Sequence, residues 1–427
     1  MKEVYNNKFS IGHWDATLED DLFLECFTNS SDQYKKEIYD IYFGGAYVHR
    51  DVIYGDVMGQ TPSTTQYKNL LKIQEKYGIP ISLTLNEMNR PLEILRPDIL
   101  KELIAYIKKF YDDGVRSCTI SHTHLMKTGA LQSSFPGMNW KNTVNHRIRT
   151  TQEFHDYVSL GYNTIQLDRN FNRNLDELKK VCDEAEKLGV TTTLLIKENC
   201  MPECPFKTEH DCWQSGKTLR DLKTNYWEAI PFTCNKWRNL SMDHGTNDEI
   251  DKYIHNPRTG TDVVMITKDD WKEFANLVDV FKLSGRLITS GGKIIKKRAY
   301  FLERYRSNHH AYPKNANVIG ATDLYEVDSF KDVYENNLAP LHMWLSFCTV
   351  YDTHEYKPIR DIKKIKEGIL DHFWNSKKAV TLKNILKNCN NQCYACHACD
   401  DVFKTDRMDS IIGIKGQTNN LPSRSEY

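Results

Sequence analysis

The chain has 427 residues, with 57 basic and 57 acidic side chains and a net charge of zero. At 40% apolar and 27% charged residues it has the composition of a soluble globular protein, long enough for one large domain or two ordinary ones. The charge balance excludes a whole-surface nucleic-acid binder and leaves room only for a local basic patch. No apolar run reaches the roughly 18 residues of a membrane span, and MKEVYNNKFSIGHWD has no apolar stretch of the kind a secretory leader carries. The expected location is the cytoplasm.

Short β-rich runs alternate with helical patterns from the N-terminus onward, the signature of βα units and a parallel sheet. KFSIGHW (8–14) precedes the helical LEDDLFLECF, and EIYDIYFGG (37–45) precedes TTQYKNLLKIQEKYG. IPISLTLN (79–86) is followed by LRPDILKELIAYIKKFYDDG, and VRSCTISHTH (115–124) gives a fourth strand. NTVNHRI (142–148) and TTQEFHDYVSLG form a fifth unit, YNTIQLDR (162–169) and NLDELKKVCDEAEKLG a sixth. VTTTLLIK (190–197) is a seventh strand, and VDVFKLSG (278–285) an eighth, followed by the helical KIIKKRAYFLERY. Three helices end in Gly before the next strand (EKYGIPISL, DDGVRSCTI, KLGVTTTLL), where a left-handed residue closes the helix. Asn174 is placed to cap LDELKKV, with Glu177 as a capping-box partner. Eight such units predict a (β/α)8 TIM-barrel-like fold over residues 1–309, with a doubly wound open sheet as the alternative. An insertion at about 199–270 is too long for a simple βα loop, and residues 310–427 form a C-terminal extension. No G-x-G-x-x-G or Walker A motif supports a phosphate-loop reading.

Twelve cysteines in a chain expected in the cytoplasm call for metal or redox chemistry, because reducing compartments disfavour disulfides. Eight of them fall into two groups. Cys200, Cys204, Cys212 and Cys234 follow the seventh strand with the spacing C-x3-C-x7-C-x21-C; Cys389, Cys393, Cys396 and Cys399 lie in CNNQCYACHAC. The first spacing lacks the paired C-x2-C knuckles of a zinc ribbon and fits an iron–sulfur cluster better. The C-x2-C-x2-C of the second is close to ferredoxin spacing. Zinc is the alternative metal for both, and the two groups imply one cluster or two. The radical-SAM spacing C-x3-C-x2-C occurs at Cys389–Cys393–Cys396, but beyond the barrel rather than after its first strand. Cys182 reads as a small buried hydrophobe within its helix.

In a barrel the functional groups gather at the C-terminal strand ends. Those ends here carry His13 and Asp15, Asn86, Glu87 and Asn89, His122 and His124, and Asn145, His146 and Arg147. The later ends add Asp168 and Arg169, Lys197, Glu198 and Asn199, and Lys282, Ser284 and Arg286. The set suggests a polar or anionic ligand, with Arg169, Lys282 and Arg286 holding the anion. His122, His124 and His146 are the candidates for proton transfer, since imidazole titrates near neutrality, and Asp168 joins the candidate catalytic set.

NTIQLDRNFNRNLDELKKV resembles the V-x-L-x-R-E-L-S-L-x-E-I segment of the collagenase-like peptidase U32 family. LLIKENCMPECPF resembles the following strand and first cluster cysteine, and DWKEFANLVDVFKLSGR resembles the family's L-x-x-x-G-V-D-S-L-K-I-E-G-R segment. The three occur in family order over roughly residues 140–290. The resemblance implies a TIM-barrel-like fold and a [4Fe-4S] cluster, with Cys200, Cys204, Cys212 and Cys234 as ligands by position. It also implies oxygen-independent hydroxylation of RNA bases or of ubiquinone precursors. The cysteine spacing departs from the family's common pattern, and the C-terminal group lies outside its core. The function expected is therefore an iron–sulfur redox enzyme acting on an RNA base or small molecule, with an electron donor the sequence does not name. The alternatives are a peptidase, as the family name suggests, and a non-enzymatic zinc or iron–sulfur binding module.

Overall fold

A computed structural model of the protein describes residues 8–13, 22–28, 32–50, 52–56, 61–169, 171, 174–196, 207–213, 274, 277–283, 289–290, 293–294 and 384. Eight parallel strands close into a barrel: β1 (Lys8–Gly12), β2 (Ile38–Gly44), β5 (Ile81–Leu85), β6 (Ser117–Ile120), β7 (Asn139–Lys141), β8 (Thr164–Gln166), β9 (Thr191–Ile196) and β10 (Val280–Leu283). They neighbour one another in chain order, and β10 returns to pair with β1, Ser10 lying opposite Lys282. This is the expected (β/α)8 barrel. Between β2 and β5 an antiparallel hairpin, β3 (Ala46–His49) and β4 (Val52–Gly55), rises at the C-terminal end. Two short strands, β11 (Thr289–Ser290) and β12 (Lys293–Ile294), pair beyond β10, where the sequence predicts a helix.

The connecting helices are α1 (Leu22–Thr28), α2 (Asp32–Lys36), α3 (Thr64–Tyr77), α4 (Pro97–Asp112), α5 (Thr123–Lys127), α6 (Ala130–Ser134), α7 (Thr151–Ser159) and α8 (Leu175–Leu188). Their apolar positions recur with helical period, as Ile99, Leu103 and Ile107 do on α4, and they pack on the outer wall of the barrel. That wall is built from Ile11, Ile41, Phe43, Ile81, Leu83, Leu85, Ile120, Trp140, Ile165, Leu194 and Phe281. Each such side chain contributes about 1.5–3 kcal/mol on burial, so the hydrophobic core is the sleeve between strands and helices. Cys118 and Cys182 are part of it, as the sequence predicts for Cys182.

Helix ends follow local sequence. Gly78, Gly114 and Gly189 all have positive φ (67°, 92° and 63°) where α3, α4 and α8 stop. Asn174 caps α8, its side chain accepting from the Glu177 N–H at 3.2 Å. The expected reciprocal bond is replaced by another. Glu177 accepts from the Thr151 N–H (3.0 Å) and hydroxyl (2.9 Å), so its carboxylate ties the start of α7 to α8. Those bonds, led by the backbone N–H, lower its pKa.

The fifth barrel strand lies earlier than the sequence suggests. It is Asn139–Lys141, and Thr143 then caps a 3₁₀ turn over Val144–His146, accepting weakly from the Asn145 N–H at 3.4 Å. The β-branched pair Thr143–Val144 reads as strand, but a Thr side chain that bonds its own backbone stops one. The fourth strand likewise ends at Ile120, before His122 caps α5. Among the described residues no helix is long and apolar enough to cross a membrane. The domain boundary at 309/310 and nearly all of the extension lie outside the described residues.

Candidate active site at the barrel mouth

A TIM barrel is ordinarily filled by layers of branched apolar side chains. Here the interior is polar. Ser10, Asp40, Ser82, Ser117, Thr119, Lys141, Thr164, Gln166 and Thr193 are all buried on the barrel strands. Since buried polar groups cost free energy unless bonded, several of them pair with one another. Lys141 on β7 forms an ion pair with Asp40 on β2, across the barrel rather than with a neighbouring strand. The Ser10 hydroxyl donates to the other Asp40 oxygen at 2.5 Å. Lys282 donates to Gln166 Oε1 at 2.7 Å and lies over the Tyr42 ring, 4.5 Å from its centroid. Lys141, Lys282, Gln166, Tyr39 and Tyr42 help line a cavity of about 10 Å³, room for about one water. Lys282, expected at the rim, thus sits inside the barrel.

Above this interior, three strand ends and the hairpin converge. The Glu87 carboxylate accepts from the Gly55 N–H at 3.1 Å, and its own N–H donates to the Gly55 carbonyl at 2.9 Å, fastening β4 to the end of β5. Gly55 has to be glycine, because a Cβ there would lie 2.6 Å from the Gly45 carbonyl oxygen. Tyr54 on β4 reaches β6: its hydroxyl accepts from the Ser121 and His122 N–H groups at 3.0 and 3.1 Å. Burial raises the Tyr54 pKa well above the ordinary tyrosine value.

The three candidate imidazoles differ. His122 is fully buried; Nδ1 accepts from the Leu125 N–H (3.2 Å) and Nε2 donates to the Pro91 carbonyl (3.2 Å), so both nitrogens serve the backbone. Burial, with a smaller effect of Arg90, lowers its pKa. His146 donates from Nε2 to the Ser121 carbonyl at 2.8 Å and packs against the Tyr157 ring, with centroids 4.9 Å apart. Its Nδ1 is buried and has no partner among the described residues. Burial pushes its pKa down to about 3, so the ring is neutral at physiological pH. His124 is exposed, its ring 6.2 Å from that of His122. His13 is buried against Phe23, with centroids 5.0 Å apart.

Charged groups cluster at the ends of β7 and β8. Asp168 and Arg169 are both buried. Asp168 pairs with Arg149 at 3.2 Å, and Arg169 Nη2 donates to Asn145 Oδ1 at 2.8 Å. The same oxygen accepts from Lys207 Nζ at 3.2 Å. Lys207 opens α9 (Lys207–Trp213), within the insertion, and forms a buried ion pair with Asp211 one turn on. Cys212, half-buried, follows Asp211. One described member of the first cysteine group is thereby held beside the strand ends that carry Asn145 and Arg169. Cys200, Cys204, Cys234, the group from Cys389 to Cys399, Asp15, the segment 197–199, Ser284 and Arg286 lie outside the described residues. Among the described residues no three His, Cys, Asp or Glu side chains converge as a metal site.

Sequence reasoning missed Asp40, Lys141 and Asn142 in the interior and Arg149, Lys207 and Asp211 at the mouth. Asn142, fully buried, holds β7 to β8: its Oδ1 accepts from the Gln166 N–H (2.5 Å) and its Nδ2 donates to the Gln166 carbonyl (3.0 Å). The one available signal was the i, i+4 spacing of Lys207 and Asp211 in KTEHDCW, which favours a helical ion pair.

Fold and mouth together define a (β/α)8-barrel protein with a charge-bearing interior and a cysteine-bearing segment docked at its C-terminal end. No family model matches the chain. A curated relative, the uncharacterized protease MJ1657 of Methanocaldococcus jannaschii, is 26% identical over 144 residues, covering 34% of this chain and 38% of the relative. The match therefore spans well under half of that relative's length. Among solved structures, the U32 peptidase Mk0906 is similar over 67% of this chain and 95% of its own, at 13% identity and a TM-score of 0.44. The carboxyl transferase domain of Rhizobium etli pyruvate carboxylase, with 3-hydroxypyruvate, covers 93% of this chain and 60% of its own at 7% identity and a TM-score of 0.29. These are likenesses, at 26% and 13% identity, to proteins named as a protease and as a U32 peptidase.

Proposed function

We propose that this chain is an iron–sulfur enzyme of oxygen-independent hydroxylase or related modifying type, acting at the barrel mouth on a polar or anionic substrate, an RNA base or a small molecule. The observation that carries this reading is the Lys207–Asn145 contact, which sets the helix bearing Cys212 beside Asn145 and Arg169. Barrel enzymes work at that end. Cys200, Cys204, Cys212 and Cys234 would hold a [4Fe-4S] cluster, a soft-metal site suited to thiolates. Cys389, Cys393, Cys396 and Cys399 would hold a second cluster or add ligands to the first. Such a cluster supplies one-electron transfer. The chain's own residues do the rest: Arg169 and Arg286, at the strand ends, would offer positive charge to an anionic group. His122, His124 and His146 are the proton-transfer candidates; the backbone engages both nitrogens of His122 but only Nε2 of His146.

A peptidase is the second reading, favoured by the name of the M. jannaschii relative. Hydrolysis by a thiol needs an accessible cysteine beside a free imidazole. Cys118 and Cys182 are buried, and burial raises both pKa values, that of Cys182 to about 12. They are therefore poor nucleophiles.

Anaerobic purification decides between the readings, with iron and sulfide measured per chain and the EPR spectrum recorded for wild type, Cys200→Ala and Cys396→Ala. Stoichiometric iron and sulfide with a reducible signal is expected. If both variants lose the same signal, the two cysteine groups share one cluster. A colourless protein with stoichiometric zinc would overturn the proposal, and peptide hydrolysis by metal-free protein would establish the second reading.

A further inference from the structure

We infer that Asn145 is a positioning residue whose side-chain oxygen latches the cysteine-bearing helix α9 onto the barrel mouth. The 3₁₀ turn capped by Thr143 presents Asn145 between two elements. Its Oδ1 accepts from Arg169 Nη2 at 2.8 Å, at the end of β8, and from Lys207 Nζ at 3.2 Å, on α9. A helix of seven residues does not hold together alone in water. This one also buries an ammonium and a carboxylate, Lys207 and Asp211 being 7% and 6% exposed. Burial of that kind requires further bonds to the charged groups, and Asn145 supplies one from the barrel. Its one oxygen accepts from two cations at once. Cys212 follows Asp211 directly, so the latch fixes where that thiol stands.

The latch stands on the described contacts alone, whereas its consequence for iron rests on the function proposed above. The test is hydrogen exchange on the full-length chain, with iron per chain measured in parallel. In Asn145→Ala, exchange across residues 207–213 should rise about tenfold, as expected for losing hydrogen bonds to charged groups, while the amides of β2 and β5 stay protected. Asn145→Asp keeps an oxygen in place and should restore wild-type protection. Iron retention should fall in the alanine variant and return in the aspartate one. Wild-type exchange in Asn145→Ala, or no rescue by Asn145→Asp, would overturn the latch. Should Asn145→Ala fail to fold, Asn145→Ser shortens the side chain and withdraws the acceptor while leaving the Lys207–Asp211 pair intact, and its exchange must rise across residues 207–213 alone for the latch to stand. If wild-type protein carries no iron yet the exchange pattern holds, the latch survives and the iron–sulfur reading falls.

Discussion

Lys141 and Asp40 form an ion pair across the inside of the barrel, joining β7 to β2 with side chains only 6% and 1% exposed. Two charges in so dry a place cost several kcal/mol each in lost hydration, which mutual attraction offsets only when the remaining polar atoms are bonded too. The Ser10 hydroxyl on the second carboxylate oxygen and the Tyr39 ring, 5.4 Å from the ammonium, contribute here. Lys141→Met leaves Asp40 buried without its cation and should destabilise the fold by about 3–5 kcal/mol. The double variant Lys141→Met with Asp40→Asn should recover most of that loss. Urea unfolding of wild type, both single variants and the double variant checks both expectations, and additive losses would show that the residues do not act as a pair.

His146 makes stability depend on pH. Its pKa falls from an ordinary 6.5 to about 3 on folding, through burial. The unfolded chain therefore binds the proton first as pH drops. The contribution is complete above pH 6.5 and is lost as pH falls toward 3, at about 1.4 kcal/mol per pH unit. Unfolding free energy measured at several pH values between 4 and 6.5 should fall less steeply in His146→Gln than in wild type, by about one proton's worth of slope. Identical slopes would mean that His146 is protonated in the native state.

Asp279 fixes the last strand of the barrel to β9 after the long insertion. Its carboxylate accepts from both the N–H and the hydroxyl of Thr192 at 2.8 Å, and its own N–H donates to that hydroxyl at 3.2 Å. Asp279→Ala should cost about 1.5–3 kcal/mol, the range for hydrogen bonds to a charged group. Thermal unfolding measures the loss, and an unchanged melting temperature would rule out a role in closure.

Tyr54 carries the hairpin to the corner between β6 and α5. Tyr54→Phe keeps the ring and removes the acceptor for the buried His122 N–H, while the Ser121 N–H keeps the Leu85 carbonyl at 3.1 Å. A loss of about 1–3 kcal/mol is expected, the cost of leaving such a group unsatisfied. Hydrogen exchange should show the His122 amide losing protection first. Loss of protection spread evenly over the barrel would argue against a local role.

Much of the architecture is legible in the sequence because its signals are local. Alternating β-rich runs and helical stripes predict eight βα units, and glycines 78, 114 and 189 mark helix ends because only a residue without a Cβ adopts positive φ cheaply. Asn174 is readable as a cap for the same reason, since its bond reaches only to Glu177. The strand β7 was misplaced where a Thr side chain turned the backbone aside, a competition that β propensity does not register.

The sequence by itself thus determined the barrel, the order of its units and the grouping of its cysteines, because each depends on residues a few positions apart. Only the tertiary structure decided which polar residues meet. Lys141 finds Asp40 from 101 positions away, and Lys282 finds Gln166 from 116, because closing the sheet turns alternate side chains of distant strands into one shared interior. Closure also set backbone carbonyls against the rings of His122 and His146. It likewise placed Asn145 where a helix from the insertion could dock. Such pairings follow from strand order and register in three dimensions, for which a linear chain carries no local mark.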